Sequence, residues 1–175
     1  MLPYKGAHVL VEALARLHHH GVDFTAEIAG DAPDAEYREK LLACIRQGGI
    51  EGKVKLTGFL NREGLTALFA RSNVLVFPSL FQEPFGISQV EALAAGLVVV
   101  SSGTGGAKEI IRHNVDGLIH QAGDPGDLAV KLLSLANDPA LFGRLQQSGQ
   151  KRALAFSSES AVRRIEKLCD DLVAG

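Results

Sequence analysis
The stretch VLVFPSLFQEPFGISQVEALAAGLVVV, residues 74–100, decides the fold. It opens on an apolar run, Val74-Leu75-Val76-Phe77, stopped by Pro78. It closes on a second, Leu97-Val98-Val99-Val100. Between them a loop over 79–85 leads into a helix expected from about Gly86 to Ala95. Short apolar runs joined by a helix are the pattern of parallel strands covered on both faces. The same alternation extends outward in both directions. Upstream, Val9, Leu10, Ala13, Leu14 and Leu17 share one face of a helix over 7–20. A strand follows at 24–29, a helix at 34–47 and a strand at 54–57. Asn61 then suits the N-cap of a further helix carrying Leu65, Leu68 and Phe69. Downstream, the pattern predicts a short helix at 107–112, a strand at 117–120 and a helix opened by Asp124-Pro125. Two more helical segments follow, near 138–153 and 158–173. No repeat or interdomain linker interrupts the series. The expectation is one doubly wound, mainly parallel α/β domain with a helical tail. Such sheets bind ligands beyond the carboxyl ends of their strands. Function is therefore expected in loops 30–34, 58–63, 78–87 and 101–107.

Composition narrows the partners. The chain has 175 residues, 46% hydrophobic and 22% charged, with a net charge of −2. That balance offers no basic face for nucleic acid and no polybasic signal for anionic membranes. Cys44 and Cys169 stand far apart, which suits free thiols in a reducing, cytoplasmic compartment. No apolar run reaches the ~20 residues of a membrane span, and the start carries no apolar leader segment.

The 78–87 loop carries the chemistry. A helix beginning at Gly86 lets a ligand approach its backbone. The amides of Gly86, Ile87 and Ser88 then suit a phosphate. Glu83 precedes this helix and Glu91 lies within it. Glu91 has only apolar or small neighbours in the run Val90–Ala95. Such a carboxylate calls for strong donors, ~1.5–3 kcal/mol per bond, and vicinal sugar hydroxyls supply two. The spacing fits a solvated helix face equally well, and the residues alone leave both readings open. In the glycine-rich Ser101–Gly106, Gly105 and its neighbours suit amides lining the same cleft or an ordinary turn. Lys5, at the opening of the first helix, suits a diphosphate contact or a solvated lysine. His18-His19-His20 diverge by ~100° per residue on a helix and do not form a metal site. No D-x-D pair occurs.

Taken in order, these motifs resemble the "group 1" glycosyltransferases, family 4, of the GT-B fold. The resemblance covers nearly the whole chain. Lys5-Gly6 opens it, and Ile28-Ala29-Gly30-Asp31 and Val54…Gly58-Phe59 are similar to the next two strand ends. Val76–Ser79 follows, then Glu83-Pro84-Phe85-Gly86-Ile87…Glu91, Gly105-Gly106…Glu109 and Asn114…Ile119. The resemblance implies a Rossmann-like half of GT-B over residues 1–155, and a tail helix, 156–175, that crosses to the N-terminal domain. It implies retaining transfer of a hexosyl group from a UDP-, GDP- or ADP-linked sugar, without a metal or other cofactor. Glu83 and Lys5 take the catalytic roles: Glu83 binds the donor sugar and Lys5 neutralises the departing diphosphate. Glu91 binds ribose hydroxyls. Phe85, Gly86 and Ile87 offer backbone amides, Gly105 lines the cleft, and Phe59 and Leu60 meet the base.

Two departures qualify it. The family's Arg, five residues before this lysine on a first strand, falls before Met1. The acceptor-binding N-terminal domain is also absent. A C-terminal fragment, inactive alone, is the expectation, with Ala161, Ile165, Leu168 and Leu172 left to pack elsewhere or onto a second copy as a homodimer. A stand-alone nucleotide-sugar-binding module and a nucleotide-sugar epimerase are the alternatives.

Overall fold
A computed structural model describes residues 2–31 and 34–174. Helices and strands alternate along the chain. They are α1 (Ala7–His19), β1 (Ala26–Ala29), α2 (Ala35–Gln47), β2 (Val54–Gly58), α3 (Arg62–Arg71), β3 (Val74–Phe77), α4 (Ile87–Ala94) and β4 (Val98–Ser101). Then come β5 (Leu118–Ile119), α5 (Pro125–Asn137), α6 (Pro139–Ala153) and α7 (Ser158–Ala174). Every strand pairing is parallel: β1 with β2, β3 with β4, and β4 with β5. The expected Rossmann-like α/β architecture is the one observed.

Strand β4 explains why the fold has two faces. Its four residues are all fully buried. Val98 and Val100 point into a core built with α1, α2, α5 and α6. Val99 points the other way, into a core built with Phe69, Ala92 and Leu93 of α3 and α4. Alternation along one strand thus serves both cores, each valine contributing about 1.5–3 kcal/mol by burial.

Helices α2, α3, α5 and α6 start on Asp or Asn side-chain caps, which fixes where the chain turns away from the sheet. Asp34 accepts from the Tyr37 amide and Asn61 from that of Gly64. Asp124 and Asp138 do the same ahead of Pro125 and Pro139. Each such cap stabilises its helix by roughly 1 kcal/mol.

Two expectations shift. The helix expected at 107–112 is a 3₁₀ turn, Gly105–Glu109. Its start at Gly105, with φ 59°, leaves too few residues for an α-helical ladder. The parallel ladders also form two groups, β1–β2 and β3–β4–β5, with no hydrogen-bonded rungs joining them among the described residues. A cavity of about 480 Å³ lies between β1 and β3.

Candidate functional site: the carboxyl edge of the sheet
Loops 78–86 and 102–104 follow the carboxyl ends of β3 and β4, and the turn before α1 joins them. Leu80 donates its amide to the Tyr4 carbonyl at 2.8 Å. A Cβ on Gly6 would stand 2.0 Å from the Pro78 carbonyl oxygen, so only glycine lets the backbones touch. This contact brings Lys5 to Glu83, although 78 residues separate them. Lys5 Nζ donates to Glu83 Oε1 at 2.6 Å, and Ser79 Oγ donates to the same oxygen at 2.5 Å. Glu83 is 7% exposed, whereas the Lys5 side chain is 45% exposed. A nearly buried carboxylate thus keeps its charge compensated by one cation and one hydroxyl.

The loop is held from beneath by backbone contacts. Gly106 donates to the Glu83 carbonyl at 2.7 Å. Cβ atoms on Gly105 and Gly106 would come 2.4 Å from the Glu83 carbonyl oxygen and 2.1 Å from that of Pro84. These glycines therefore clamp the 82–84 loop. Ser102 Oγ adds a bond to the Ser79 carbonyl at 2.7 Å.

Helix α4 starts without a side-chain cap. Its N-cap is Gly86, at φ 88° and ψ 56°. The amides of Gly86, Ile87 and Ser88 find no partner among the described residues. Set against the capped helices, this start is left open to an anion. Helix α1 also starts on an uncapped glycine, Gly6, but Tyr37 Oη accepts from the His8 amide at 3.3 Å.

The remaining predicted residues are scattered around this edge. Phe85 and Ile87 are exposed, with Phe85 edge-on to Phe156 at 5.7 Å. Phe59 is 76% exposed at the end of β2, and Leu60 is half-buried. Glu91 is exposed, and its carboxylate has no hydrogen-bond partner among the described residues. Its apolar neighbours Ala92 and Leu93 are buried on the opposite side of α4. Desolvation therefore places no demand on Glu91 in the free chain. At the end of α1, His19 Nδ1 lies 2.6 Å from the Ala15 carbonyl, a helix-end contact.

Sequence reasoning missed three features. Ser79 is 1% exposed and holds Glu83, yet a serine after a proline reads as a turn residue. Tyr4 and Phe81 pack at 5.4 Å beside Lys5. Gln89 is fully buried, and neither atom of its amide has a partner among the described residues. A Cβ on Gly86 would meet its Nε2 at 2.7 Å, so this glycine also makes room for Gln89.

Comparison with known proteins places this geometry. A family model described as "Glycosyl transferases group 1" matches residues 1–152. An uncharacterised glycosyltransferase of Methanocaldococcus jannaschii is 39% identical over 126 residues, which are 71% of this chain and 31% of the relative. A 2-deoxystreptamine glucosyltransferase of Streptomyces kanamyceticus is 32% identical over 136 residues, 78% of this chain and 34% of that protein. Among solved structures, Anabaena HepE in complex with UDP and glucose superposes with a TM-score of 0.85 at 28% identity, over 98% of this chain and 46% of that one. HepE has also been solved with UDP and with UDP-glucose. The chain thus spans between about a third and a half of the length of these proteins, and its fold is one Rossmann-like half of GT-B. Among the described residues, no helix is long and apolar enough to cross a membrane.

Proposed function
The chain belongs to the group 1 glycosyl transferases, and from that premise we propose that it binds the nucleotide-sugar donor of a retaining hexosyltransferase. Residues 1–155 form the donor domain, and the helix in 156–175 packs against an acceptor-binding half. UDP-sugars are the first donors to consider, because HepE, 28% identical, was solved with UDP-glucose. The chemistry runs without a metal, in a reducing cytoplasm.

One observation carries this reading: Lys5 and Glu83 meet at 2.6 Å beside the uncapped start of α4. A diphosphate needs positive potential, and a mobile ammonium with free helix amides supplies it. A sugar needs carboxylate acceptors for its hydroxyls, and Glu83 is a fixed one. As the bond from the anomeric carbon to the phosphate oxygen breaks, negative charge grows on the diphosphate. Lys5 and the start of α4 stabilise that charge in the transition state. Glu91, one turn further along α4, takes the ribose hydroxyls. Phe85, Gly86 and Ile87 present amides to sugar and phosphate, Gly105 lines the cleft, and Phe59 with Leu60 meets the base.

Titration with UDP-, GDP- and ADP-sugars tests the proposal. UDP-sugar binding is expected, weakened about tenfold in Glu91→Ala, the equivalent of ~1.4 kcal/mol. Unaltered affinity in both Glu91→Ala and Glu83→Gln, or no nucleotide binding at millimolar levels, would refute the site.

A further inference from the structure
Between Glu83 and helix α4, Phe85 is held differently from its neighbours. The carbonyls of Glu83 and Pro84 are held by Gly105 and Gly106. Gly86 opens the helix at φ 88°, and its carbonyl accepts from the Gln89 amide at 3.0 Å. Neither the amide nor the carbonyl of Phe85 has a partner among the described residues. The glycine beside it tolerates many backbone angles, so the peptide after Phe85 has little restraint of its own. The side chain must fix what the backbone does not.

That side chain rests on a second ring. Phe156 meets Phe85 at 5.7 Å between centroids and 66° between planes, an edge-on pair. Phe156 packs against the α3–α4 core, and the Arg152 guanidinium lies 4.7 Å from its ring centre. Arg152 is fixed in turn. Its Nε donates to the Ile110 carbonyl at 3.0 Å and its Nη2 to the Glu109 carbonyl at 2.6 Å. Asp116, fully buried, sets a carboxylate oxygen 4.0 Å from the same Nε. The corner behind Phe156 is closed as well. Ser157 Oγ accepts from the Ser160 amide at 3.1 Å, and Ser160 Oγ donates to the Leu154 carbonyl at 2.9 Å.

These contacts close a circuit. Glu109 and Ile110 end the 3₁₀ turn that Gly105 and Gly106 begin. The turn therefore holds the site loop twice. Its glycines hold Glu83 and Pro84 from beneath, and its last carbonyls hold Phe85 from the side through Arg152 and Phe156.

We infer that Phe156 is a positioning residue for the donor site, fixing the Phe85 ring and, through it, the Phe85–Ile87 backbone. The inference rests on the donor reading proposed above, in which those three amides face the sugar and the phosphates. Hydrogen bonds weaken steeply as the donor N–H swings off line, so a loop free to turn at Phe85 binds the sugar and second phosphate poorly. Glu91, Phe59 and Leu60 stand outside the loop, so the nucleoside end of the donor is insensitive to Phe156.

Two readouts test this. The chain has no tryptophan, so Phe85→Trp supplies a single fluorophore in the loop. Adding Phe156→Ala is expected to shift its emission to the red and raise its quenching by acrylamide, with no nucleotide present. Adding Phe156→Tyr, which keeps the ring, is expected to do neither. In the otherwise native chain, Phe156→Ala is expected to weaken UDP-glucose binding about fivefold, the loss of one hydrogen bond, and to leave UMP binding unchanged. Leu135→Ala, in the core on the other face of the sheet, controls for general loss of stability. It is expected to lower the unfolding midpoint and keep the ratio of the two affinities. Unaltered emission with Phe156→Ala, equal losses for both ligands, or the same change of ratio in Leu135→Ala would overturn the inference. A wild-type chain that binds no nucleotide would sink the donor reading instead, and the emission would then decide alone whether Phe156 holds the loop.

Discussion

Two glycines and a serine determine how well Glu83 is held. Gly106 donates to the Glu83 carbonyl, and its position leaves no room for a methyl group against Pro84. Gly106→Ala is expected to lower stability by about 1–3 kcal/mol through overpacking. Gly52→Ala, where a Cβ would meet nothing within 4 Å, is the neutral control. Urea unfolding of the two variants measures the difference, and equal midpoints would remove the clamp from the account. At this scale Lys5, Glu83 and Gly86 were legible, because a lysine at a helix start and a glycine at another are local signals. Ser79 was not, since its value lies in a bond to a residue positioned by a separate turn. The desolvation argument for Glu91 failed because apolar neighbours in sequence occupy other faces of a helix, about 100° apart per residue.

Elements with their own boundary chemistry were read almost to the residue. Asp34, Asn61, Asp124 and Asp138 each cap a helix near its predicted start. The 3₁₀ turn at Gly105–Glu109 was read as a helix further along, since glycine-rich starts carry no periodic signal. Helix α7 has a legible apolar stripe that the rest of the described chain leaves uncovered. Ala161, Ile165 and Leu168 are exposed in the structure, and the side chain of Leu172 lies outside the described residues. If this stripe joins two copies, sedimentation velocity should give a mass rising with concentration. Ile165→Glu combined with Leu168→Glu should hold the protein monomeric. A wild-type monomer across all concentrations would leave no role for α7 in self-association.

The whole molecule was legible as an alternation of parallel strands and helices, because buried apolar runs and helical periodicity are both short-range patterns. The division of the ladder into two groups was not, since it depends on which strands become neighbours. One buried histidine should make stability of the whole fold sensitive to acid. His120 is 1% exposed, and burial holds its ring below the usual histidine pKa despite Asp127 and Asp124 nearby. The unfolded chain therefore takes up a proton near pH 6.5 that the folded chain refuses. The stabilisation is present above that pH and is lost as pH falls below it. Asp127, whose carboxyl is held below its ordinary value by the Gln121 amide and by Lys131, releases its own contribution only at more acid pH. The unfolding midpoint should drop from about pH 6.5 downward, and His120→Gln should flatten that slope. An unchanged slope would assign the acid sensitivity to other groups. The ion pair at the carboxyl edge has a different kind of consequence. Lys5 and Glu83 cancel within 2.6 Å, so together they cast almost no monopole field beyond a Debye length. An anionic ligand is then not steered toward them from a distance. Recognition begins at contact, when the ligand takes the ammonium from the carboxylate, so selectivity rests in dissociation and not in the speed of encounter.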